Sequence, residues 1–462
     1  MESKTDQIHV VLVPWSAFGH IIPMFELAIA IAKAGGVHAS LVSTPGNILR
    51  LPELPPDLRR LIDLVALPLP SDPDNPLPGG AEATVDIPFD KIPLLKLAHN
   101  RLKKPFMELL ADRSPDWIIS DSMVHWAAEA AAEMGVPVIC FYPFSAATAV
   151  FFGPPKFLTV GFRPSPESMM EKPPWVDFKS TVAYRKHEAP GVHAGFFGRD
   201  VSGPSTAERV ARAVSKSKAV AIRSCREFES GFFDLQEKIS EKPAIPVGFL
   251  PPGRGINSTN LDDEWKNIFR WLDDQGPKSV FYVGFGSECK LERDQIDAIA
   301  RGLELSGVRF IWVLQNADDE GLQLDSVINP KIRGNGVVKV GWAPQRAILG
   351  HPSIGGCLFH GGWGSVIETL QYGHCLVILP FIIDQGLNAR LLVEKGLAIE
   401  VDRGEDGSFT EEDIADSLRK AMVVLRERAE QGATMFRDQE LNDKYIEEFV
   451  HFMKINGVKK LC

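Results

Sequence analysis

The sequence predicts an α/β protein with two parallel β-sheets, each covered by helices on both faces. Apolar runs of strand length alternate with helical patterns in both halves of the chain, and a segment rich in Pro, Gly and polar residues separates the halves at about residues 242–262. A chain of 462 residues, 45% of them hydrophobic, is long enough for two ordinary cores. We therefore expect two Rossmann-like domains that face each other across a cleft.

In the first half, the strand-like run IHVVLVP precedes IIPMFELAIAIAKAGG, whose apolar spacing and final glycine pair are typical of a helix with a C-cap. The runs ASLVSTP, DWIISD and VPVICFY supply further strands of the same sheet. Residues 134–155 are uncharged and long enough to cross a membrane, but Pro137, Pro143 and Pro154 interrupt them. We interpret them as a buried strand, a loop and a helix that begins near Ser145.

In the second half, KSVFYVGFGS precedes a helix through DQIDAIARGLELSG, and RFIWVL, GVVKVGW, GGCLFH and LVILPFI continue the alternation. Near the C-terminus, KYIEEFVHFM predicts a final helix. These patterns divide the chain into a first domain of residues 1–241, a linker of residues 242–262 and a second domain of residues 263–440.

Composition and charge argue against several classes of function. Acidic residues outnumber basic residues by 60 to 50, the formal net charge is −10, and no basic tract stands out, so we expect no nucleic-acid partner. The six cysteines lack C-x-x-C spacing, which favours reduced thiols over a disulfide or zinc framework. The N-terminus leads into a strand without an apolar signal core. We expect a cytoplasmic monomer without an integral membrane segment.

The window from Trp342 to Gln385 combines groups that can hold a sugar nucleotide. Its HGGWGS segment, residues 360–365, lies between an apolar strand that ends near Phe359 and a helical run from Val366 onward. Glycines at such a turn let backbone N–H groups approach a ligand, and a helix N-terminus favours anions. The turn therefore predicts a diphosphate site.

Side chains on both sides of this turn extend the predicted site. His360 can donate a hydrogen bond to the same diphosphate, and Glu368 can accept hydrogen bonds from ribose hydroxyls. Trp342 offers a flat face to a base, and Gln345 is close enough in sequence to reach the nucleoside. Together these groups suit a nucleotide.

Asp384 and Gln385 follow a second strand-like run, LVILPFII, and should emerge at its C-terminal end, where ligands bind in open α/β sheets. A carboxylate beside an amide suits sugar hydroxyls. Structural interpretations stay open for parts of the window. Ser365 and Glu368 match the S-x-x-E capping box and can serve only to begin a helix, and the histidine and the tryptophan can be core residues.

A candidate base lies in the first domain. His20 follows WSAFG after the first strand, and a neutral imidazole there can take a proton from an acceptor hydroxyl. Asp121, which ends the strand DWIISD, is placed to orient the ring, although the sequence does not establish that the two residues touch. His20 can also be only a helix-start residue. His125 is the competing base, and it can instead face the helix surface or pack.

The order and spacing of residues 342–385 resemble the signature box of plant UDP-dependent glycosyltransferases of specialised metabolism. The resemblance implies a GT-B-type fold and a UDP-sugar co-substrate. The UDP-sugar-binding residues that it implies are Trp342 on uracil with Ala343 in the same box, Gln345 and Glu368 on the ribose, His360, Trp363, Gly364 and Ser365 at the diphosphate, and Asp384 with Gln385 on the transferred sugar.

The resemblance extends to the first domain and to both ends of the chain. It implies that His20 is the catalytic base and that Asp121 is its partner. Ser287, in YVGFGSE, is implied to approach phosphate, although it can simply end a strand, and Ser145 is implied to contact the transferred sugar. The final helix, within residues 441–462, is expected to pack back on the first domain.

Two positions depart from the usual box. Gly361 stands where Cys is common, and Gly364 stands where Asn normally contacts phosphate. Gly364, together with STPGN, GGAEATVDIP and ILPFIIDQGLNARLL, resembles the branch of the family that elongates sugar chains on existing terpenoid or flavonoid glycosides. Phe18, Phe144 and Phe151 are aromatic candidates for the acceptor site, and each can equally be a core residue.

The expected reaction is direct displacement at the anomeric carbon of a UDP-sugar, with inversion and without a metal cofactor. The nominal D-x-D pattern at residues 72–74 lies in a Pro-rich stretch that we interpret as a solvated loop. Glucose is the expected sugar, and rhamnose, xylose and galactose remain open.

Other classes of function are kept as alternatives. An NAD-dependent oxidoreductase would share the α/β alternation, but the first strand–helix junction, PWSAFGH, lacks G-x-G-x-x-G. A catalytically silent sugar-nucleotide-binding protein would keep the donor box and lose the base. Transfer directly to an aglycone hydroxyl is the alternative to a glycoside acceptor.

Overall fold

Two parallel β-sheets with helices on both faces form the protein, as the alternation of strand and helix patterns predicts. The computed structural model describes residues 7–72, 74, 77–159, 164–253, 261–286, 288–314 and 335–457. The strands in these residues are β1 Ile8–Val13, β2 Val37–Ser43, β3 Ile62–Ala66, β4 Trp117–Asp121, β5 Val138–Tyr142, β6 Ala219–Ile222, β7 Ala244–Pro246, β8 Val280–Gly284, β9 Arg309–Leu314, β10 Gly336–Val340, β11 Ile354–Phe359, β12 Cys375–Ile378 and β13 Ala398–Glu400.

Helices connect the strands on alternate faces of the two sheets. The α-helices in the described residues are Phe18–Lys33, Pro45–Leu49, Ile92–Asn100, Lys103–Arg113, His125–Glu133, Ala146–Phe151, Pro155–Thr159, Ala189–Phe197, Thr206–Lys216, Arg226–Ser240, Asp263–Asp273, Arg293–Ser306, Gln345–Leu349, Trp363–Leu370, Gln385–Glu394, Glu411–Val424, Arg426–Phe436 and Gln439–Asn456. Short 3₁₀ helices are Thr84–Asp86, Phe89–Lys91 and Glu167–Met170.

The strand order places a topological switch point in each sheet. The first sheet has the order β3-β2-β1-β4-β5-β6-β7 and the second has the order β10-β9-β8-β11-β12-β13. Chain order reverses between β1 and β4 and again between β8 and β11, and both pairs are parallel. Ligands of doubly wound sheets bind beyond the strand ends at such points. The loops after these four strands are therefore the expected place for a site.

The central strands are apolar on both faces because helices cover both sides of each sheet. Strands β4 and β8 are buried along their whole length. In β11, a Cβ at Gly355 would lie 2.3 Å from the Lys278 carbonyl oxygen, and a Cβ at Gly356 would lie 2.4 Å from the Phe281 ring. The glycine pair thus allows β11 to pack closely on β8 where the register shifts.

The start of the predicted linker is part of the first sheet. Strand β7, Ala244–Pro246, pairs with β6, and Val247 and Phe249 beyond it are buried. Proline and glycine are therefore tolerated here because β7 is an edge strand and the chain leaves the sheet directly after it. Residues 254–260 of the predicted linker lie outside the described residues, and the predicted domain boundaries stay predictions.

The C-terminal helix, Gln439–Asn456, packs against the first sheet. Its Phe449 and Met453 share a buried cluster with residues of β1, and the Trp117 indole of β4 donates a hydrogen bond to the Met453 carbonyl oxygen at 2.9 Å. The Asn442 side-chain oxygen accepts a hydrogen bond from the Phe249 backbone N–H at 2.8 Å. The end of the chain therefore stabilises the segment that leaves β7.

Two further findings concern the described residues as a whole. None of the helices they form combines the length and the apolar character needed to span a membrane. The described cysteines are free, and four of the five are buried, while Cys462 lies outside the described residues.

We predict that Asn442→Ala destabilises the protein by about 1–3 kcal/mol, because it leaves the buried Phe249 N–H without its acceptor. The measurement is the free energy of unfolding from urea titration. Glu447→Ala, on the exposed side of the same helix, is the control and should change that free energy by less than about 0.5 kcal/mol. Equal stability of the two variants would contradict the assigned role of Asn442.

Candidate active site

The ends of the strands at the two switch points face each other, and side chains from the two halves of the chain meet there. The Thr84 hydroxyl donates to Glu288 at 2.6 Å, and the Ser145 hydroxyl donates to the Asn388 side-chain oxygen at 3.2 Å. The Tyr184 hydroxyl donates to a carbonyl oxygen of the loop after β12 at 2.9 Å. The site is therefore built from both sheets.

His20 and Asp121 form a hydrogen-bonded pair at the first switch point. The helix Phe18–Lys33 begins soon after β1, which places His20 in its first turn, and Asp121 ends the neighbouring strand β4. The His20 Nδ1–H group donates to Asp121 Oδ2 at 2.8 Å, and the other carboxylate oxygen accepts from the Met123 backbone N–H at 2.9 Å. Asp121 is fully buried. This arrangement fixes the imidazole and leaves Nε2 as the nitrogen that can take a proton.

The electrostatic environment favours a proton on His20. Burial lowers the pKa of His20, but the charge and the hydrogen bond of Asp121 outweigh it, and Glu288 and Asp384 act in the same direction. The pKa of His20 is therefore raised above its ordinary value. Asp384 belongs to the second half of the chain, and its partner Asn388 accepts a hydrogen bond from Ser145 of the first half.

His125, the competing base, lies in the interior. Burial, with the charges of Arg209, Arg212 and Lys103, lowers the pKa of His125 to about 3. Its Nδ1 has no hydrogen-bond partner among the described residues. His125 is buried in the first turn of its helix, so of the two histidines His20 is the one that lies at the switch point.

The helix Trp363–Leu370 begins three residues earlier than the sequence predicts. Its N-cap is Gly362, which brings no side-chain cap, so the first-turn N–H groups remain available to a ligand. The His360 ring is enclosed by glycines: a Cβ would lie 3.0 Å from the ring at Gly286 and 2.7 Å from it at Gly362. These glycines allow the ring to lie at the helix end.

His360 is neutral and incompletely hydrogen-bonded. Burial lowers its pKa to about 4, and its buried Nδ1 has no partner among the described residues. A neutral imidazole can donate one hydrogen bond and accept another. The unused capacity at this helix end is what a bound anion would satisfy.

Glu368 does not form a capping box with Ser365, because the earlier helix start places it in the second turn. Its carboxylate accepts a hydrogen bond from the Gln345 side-chain amide at 2.8 Å, and the Gln345 oxygen accepts from the Tyr282 hydroxyl at 3.2 Å. Burial raises the pKa of Glu368, while Arg346 opposes that effect. The glutamine and the glutamate therefore form one polar cluster.

Arg346 joins this cluster to the first domain. Its guanidinium lies 3.9 Å from Glu368 and 3.3 Å from Glu26, a residue of the helix that also carries His20. Burial raises the pKa of Glu26, and Arg346 is the strongest opposing influence. The sequence interpretation assigned no role to Arg346, although it lies within the window, and it missed Glu26, because their contact joins distant parts of the chain.

Trp342 presents its ring to solvent. It follows β10 through Gly341, whose φ of +94° makes the turn, and its side chain is 71% exposed. The alternative interpretation of Trp342 as a core residue is therefore wrong. Ala343 is partly buried beside the core, and the helix that begins at Gln345 follows directly. An exposed indole next to the Gln345–Glu368 cluster suits the face of a base.

The Trp363 side chain lies outside the cleft. It is buried against Phe228 and Phe249, and its indole N–H donates to the Arg223 carbonyl oxygen at 2.7 Å. The expectation that Trp363 binds the donor therefore does not hold for its side chain, because the first helical position faces the other domain. Gly364 is partly exposed, and the nearest atom to a Cβ built there would be Arg223 Nη1 at 3.5 Å.

Asp384, Ser145 and Asn388 form a polar group opposite His20. Asp384 immediately precedes the helix Gln385–Glu394, and the Asn388 amide donates to Asp384 at 2.7 Å and to the Gly361 carbonyl oxygen at 3.0 Å. Burial raises the pKa of Asp384, and the hydrogen bond from Asn388 opposes it. The sequence interpretation missed Asn388, although its position one helical turn after Asp384 is a usable signal.

Gln385 uses its side-chain oxygen within its own loop. That oxygen accepts hydrogen bonds from the Phe381 and Ile382 backbone N–H groups at 2.9 and 3.0 Å. These bonds fix the amide and leave its NH₂ group as the part that can donate to a ligand.

The aromatic acceptor candidates have different environments. Phe144 packs edge-on against the His20 ring at 5.1 Å, and Phe18 is covered by the Arg50 guanidinium at 5.1 Å. Phe151 is buried against Tyr184 in the core, because the helix Ala146–Phe151 is enclosed along its whole length. Phe144 and Phe18 therefore remain candidates, and the assignment of Phe151 is wrong.

Two other expectations concern phosphate and metal binding. Ser287 lies outside the described residues, so its expected contact with phosphate stays a prediction. Asp72, from the nominal D-x-D pattern, forms a 2.6 Å ion pair with Arg101. Within the described part of the chain, no cluster of three or more His, Cys, Asp or Glu side chains is arranged to hold a metal ion.

Comparison with known proteins shows which family the chain resembles. The family model described as UDP-glucoronosyl and UDP-glucosyl transferase matches residues 242–444. UDP-glycosyltransferase 91C1 of Arabidopsis thaliana is 39% identical over 463 residues, which cover 99% of each chain. Soyasaponin III rhamnosyltransferase of Glycine max is 38% identical over 458 residues, which cover 97% of this chain and 96% of that protein.

Solved structures show the same fold. The crystal structure of Arabidopsis thaliana UGT89C1 complexed with quercetin has a TM-score of 0.72 and 25% sequence identity, and the match covers 97% of this chain and 100% of that chain. These relatives confirm the predicted GT-B architecture and the predicted family. The chain belongs to the UDP-glucoronosyl and UDP-glucosyl transferase family and is a plant UDP-dependent glycosyltransferase.

Proposed function

We propose that the enzyme transfers glucose from UDP-glucose to a hydroxyl of a sugar already attached to a terpenoid or flavonoid, with inversion and without a metal ion. The observation that carries the proposal is the 2.8 Å His20–Asp121 pair, which lies at one switch point and is electrostatically coupled to Asp384 across the cleft. A catalytically silent binding protein would not need this base and its buried orienting carboxylate.

In the proposed step, His20 Nε2 removes the proton from the acceptor hydroxyl as its oxygen attacks the anomeric carbon. The bond from that carbon to the diphosphate oxygen breaks, and UDP leaves with the electron pair. Asp121 stabilises the imidazolium that forms. One displacement from the side opposite the leaving group inverts the configuration.

The leaving group is proposed to lie at the N-terminus of the helix Trp363–Leu370. His360 and Ser365 supply side-chain hydrogen bonds, and the uncapped backbone N–H groups supply further donors. Trp342 stacks on uracil, and the Gln345–Glu368 cluster accepts hydrogen bonds from the ribose hydroxyls. These contacts stabilise the negative charge that develops on UDP.

Asp384, Gln385 and Ser145 are proposed to hold the transferred sugar, with Asn388 positioning the aspartate. Glucose is the first candidate, as the donor box indicates. Rhamnose is the second candidate, because the relative that is 38% identical is named a rhamnosyltransferase. Phe144, which packs edge-on against the His20 ring, and Phe18, which begins the helix that carries His20, are proposed to contact the acceptor.

We predict that the protein, treated with EDTA, forms a product from UDP-glucose and glycosides more readily than from UDP-glucose and the matched aglycones. Mass spectrometry gives the added mass and the UDP released, and NMR gives the linkage and the anomeric configuration. A β-linked sugar-on-sugar product is expected from the α-linked donor. If only UDP-rhamnose gave a product, rhamnose would replace glucose as the proposed transferred sugar. If only aglycones gave a product, the proposal of a glycoside acceptor would be overturned.

We predict that His20→Ala lowers kcat by roughly 10²–10⁴-fold, because it removes the general base. The affinity for UDP, measured by calorimetry, should stay within about threefold of the wild type, because no donor contact is lost. His125→Gln is the matched control and should retain activity. Full activity of His20→Ala, or loss of activity in the control alone, would reject His20 as the base.

We predict that the acid limb of kcat/KM moves to lower pH in Asp121→Asn. In the wild type the neutral base forms only as the pH rises through a His20 pKa above 6.5. Without the carboxylate, burial is the dominant influence, so the pKa should fall below 6.5. The plateau should also fall by roughly a hundredfold or more. Asp63→Asn is the control. An acid limb of kcat/KM at the same pH in Asp121→Asn and in the wild type would contradict the pairing of His20 with Asp121.

A further inference from the structure

We infer that the guanidinium of Arg223, in the first domain, contacts the diphosphate of the donor beside Gly364. This inference rests on the proposed function, because it assigns another binding residue to the same donor site. It concerns a residue outside the sequence window that indicated that site.

Arg223 is held rigidly where the two halves of the chain meet. It directly follows β6, and its carbonyl oxygen accepts the Trp363 indole hydrogen bond at 2.7 Å. Its Nε donates to the Phe249 carbonyl oxygen at 2.8 Å, and its Nη2 donates to the Leu250 carbonyl oxygen at 3.1 Å. These bonds orient the guanidinium and leave Nη1 for another partner.

The charge of Arg223 is only partly compensated by the protein. Its side-chain hydrogen bonds go to neutral carbonyl oxygens. Glu26 and Glu368 act on it through space, but both carboxylates are also shared with Arg346. Burial lowers the pKa of Arg223 to about 10, so the group is still cationic at neutral pH. A buried cation of this kind is stabilised by an anionic ligand.

The Nη1 atom of Arg223 lies beside the helix Trp363–Leu370, on the face where the UDP-sugar is proposed to bind. Gly364 and Glu368 are one turn apart on the same face of the helix Trp363–Leu370. A Cβ at Gly364 would lie 3.5 Å from Nη1. Glu368 is the proposed ribose ligand, so Nη1 lies one turn closer to the helix N-terminus, where the diphosphate belongs.

Gly364 therefore has a specific consequence for recognition. Because it brings no side chain to this face, the guanidinium from the other domain can approach the helix. A charged hydrogen-bond donor such as this guanidinium can make a strong, short hydrogen bond to a phosphate oxygen. The diphosphate would then be bound by both domains rather than by the second domain alone.

The test compares the binding of UDP and of uridine by calorimetry in the wild type and in Arg223→Gln. We expect the affinity for UDP to fall about 10- to 100-fold and the affinity for uridine to stay within about threefold, because only UDP carries the diphosphate. Equal losses for UDP and uridine, or no loss for either, would overturn the inference and leave Arg223 with a structural role.

Arg209→Gln is the matched control. Arg209 is also a buried arginine, and it is held by the Pro204 carbonyl oxygen and by Asn100 away from the cleft. Its replacement should leave the preference for UDP over uridine unchanged. The same selective loss in Arg209→Gln would attribute the effect to general destabilisation and would also overturn the inference.

Arg223→Lys serves if Arg223→Gln does not fold. Lysine keeps the charge but loses the planar guanidinium, so we expect a smaller selective loss of UDP affinity, about threefold or more. An unchanged preference for UDP over uridine would overturn the inference. Failure of the proposed donor site gives a different result, because the wild type itself would then show no preference for UDP over uridine.

Discussion

The reversal of strand order within each sheet is the constraint on which the rest of the structure depends. Between β1 and β4, and between β8 and β11, neighbouring strands are followed by helices on opposite faces, so a crevice opens at their carboxyl ends. The first crevice places His20 next to Asp121, and the second places His360 at an uncapped helix end. Because the crevices face each other, His20 and His360 lie on opposite sides of one cleft.

Polar contacts across the cleft are better explained by orientation than by stability. Glu26, Arg346 and Glu368 form a chain that links the helix of the base to the proposed ribose site. Burial raises the pKa values of both carboxylates, which shows that removing them from water has a cost in free energy. Buried ion pairs of this kind often contribute little net stability. Their effect here is to hold Gln345 and Glu368 in one arrangement.

The sequence predicts those parts of the molecule that depend on local pattern. The central apolar strands β1, β4, β8 and β11 are recognisable because helices cover both faces of their sheets, and the donor box is recognisable because its glycines and polar residues are close in sequence. Strands β6, β7 and β13 were not predicted because each has only three or four residues, and β3 was not predicted because it is an edge strand that is only partly buried.

Tertiary packing determines what the sequence could not show. Trp363 is indistinguishable in sequence from a ligand-binding aromatic residue, and only the position of Phe228 and Phe249 makes it a packing residue. Arg223 lies 140 residues before the helix that it contacts. Neither periodicity nor spacing carries information about such contacts, because they depend on how the two sheets are placed against each other.

The chain passes between its two halves twice, and the two passages touch. Phe249, just after β7, stacks on Phe436 at 4.0 Å, and its N–H is bound by Asn442 of the C-terminal helix. Two connections that touch each other restrict the rotation of one half relative to the other more than a single connection would. The two linked passages therefore help to keep the crevice that holds His20 aligned with the crevice that holds His360.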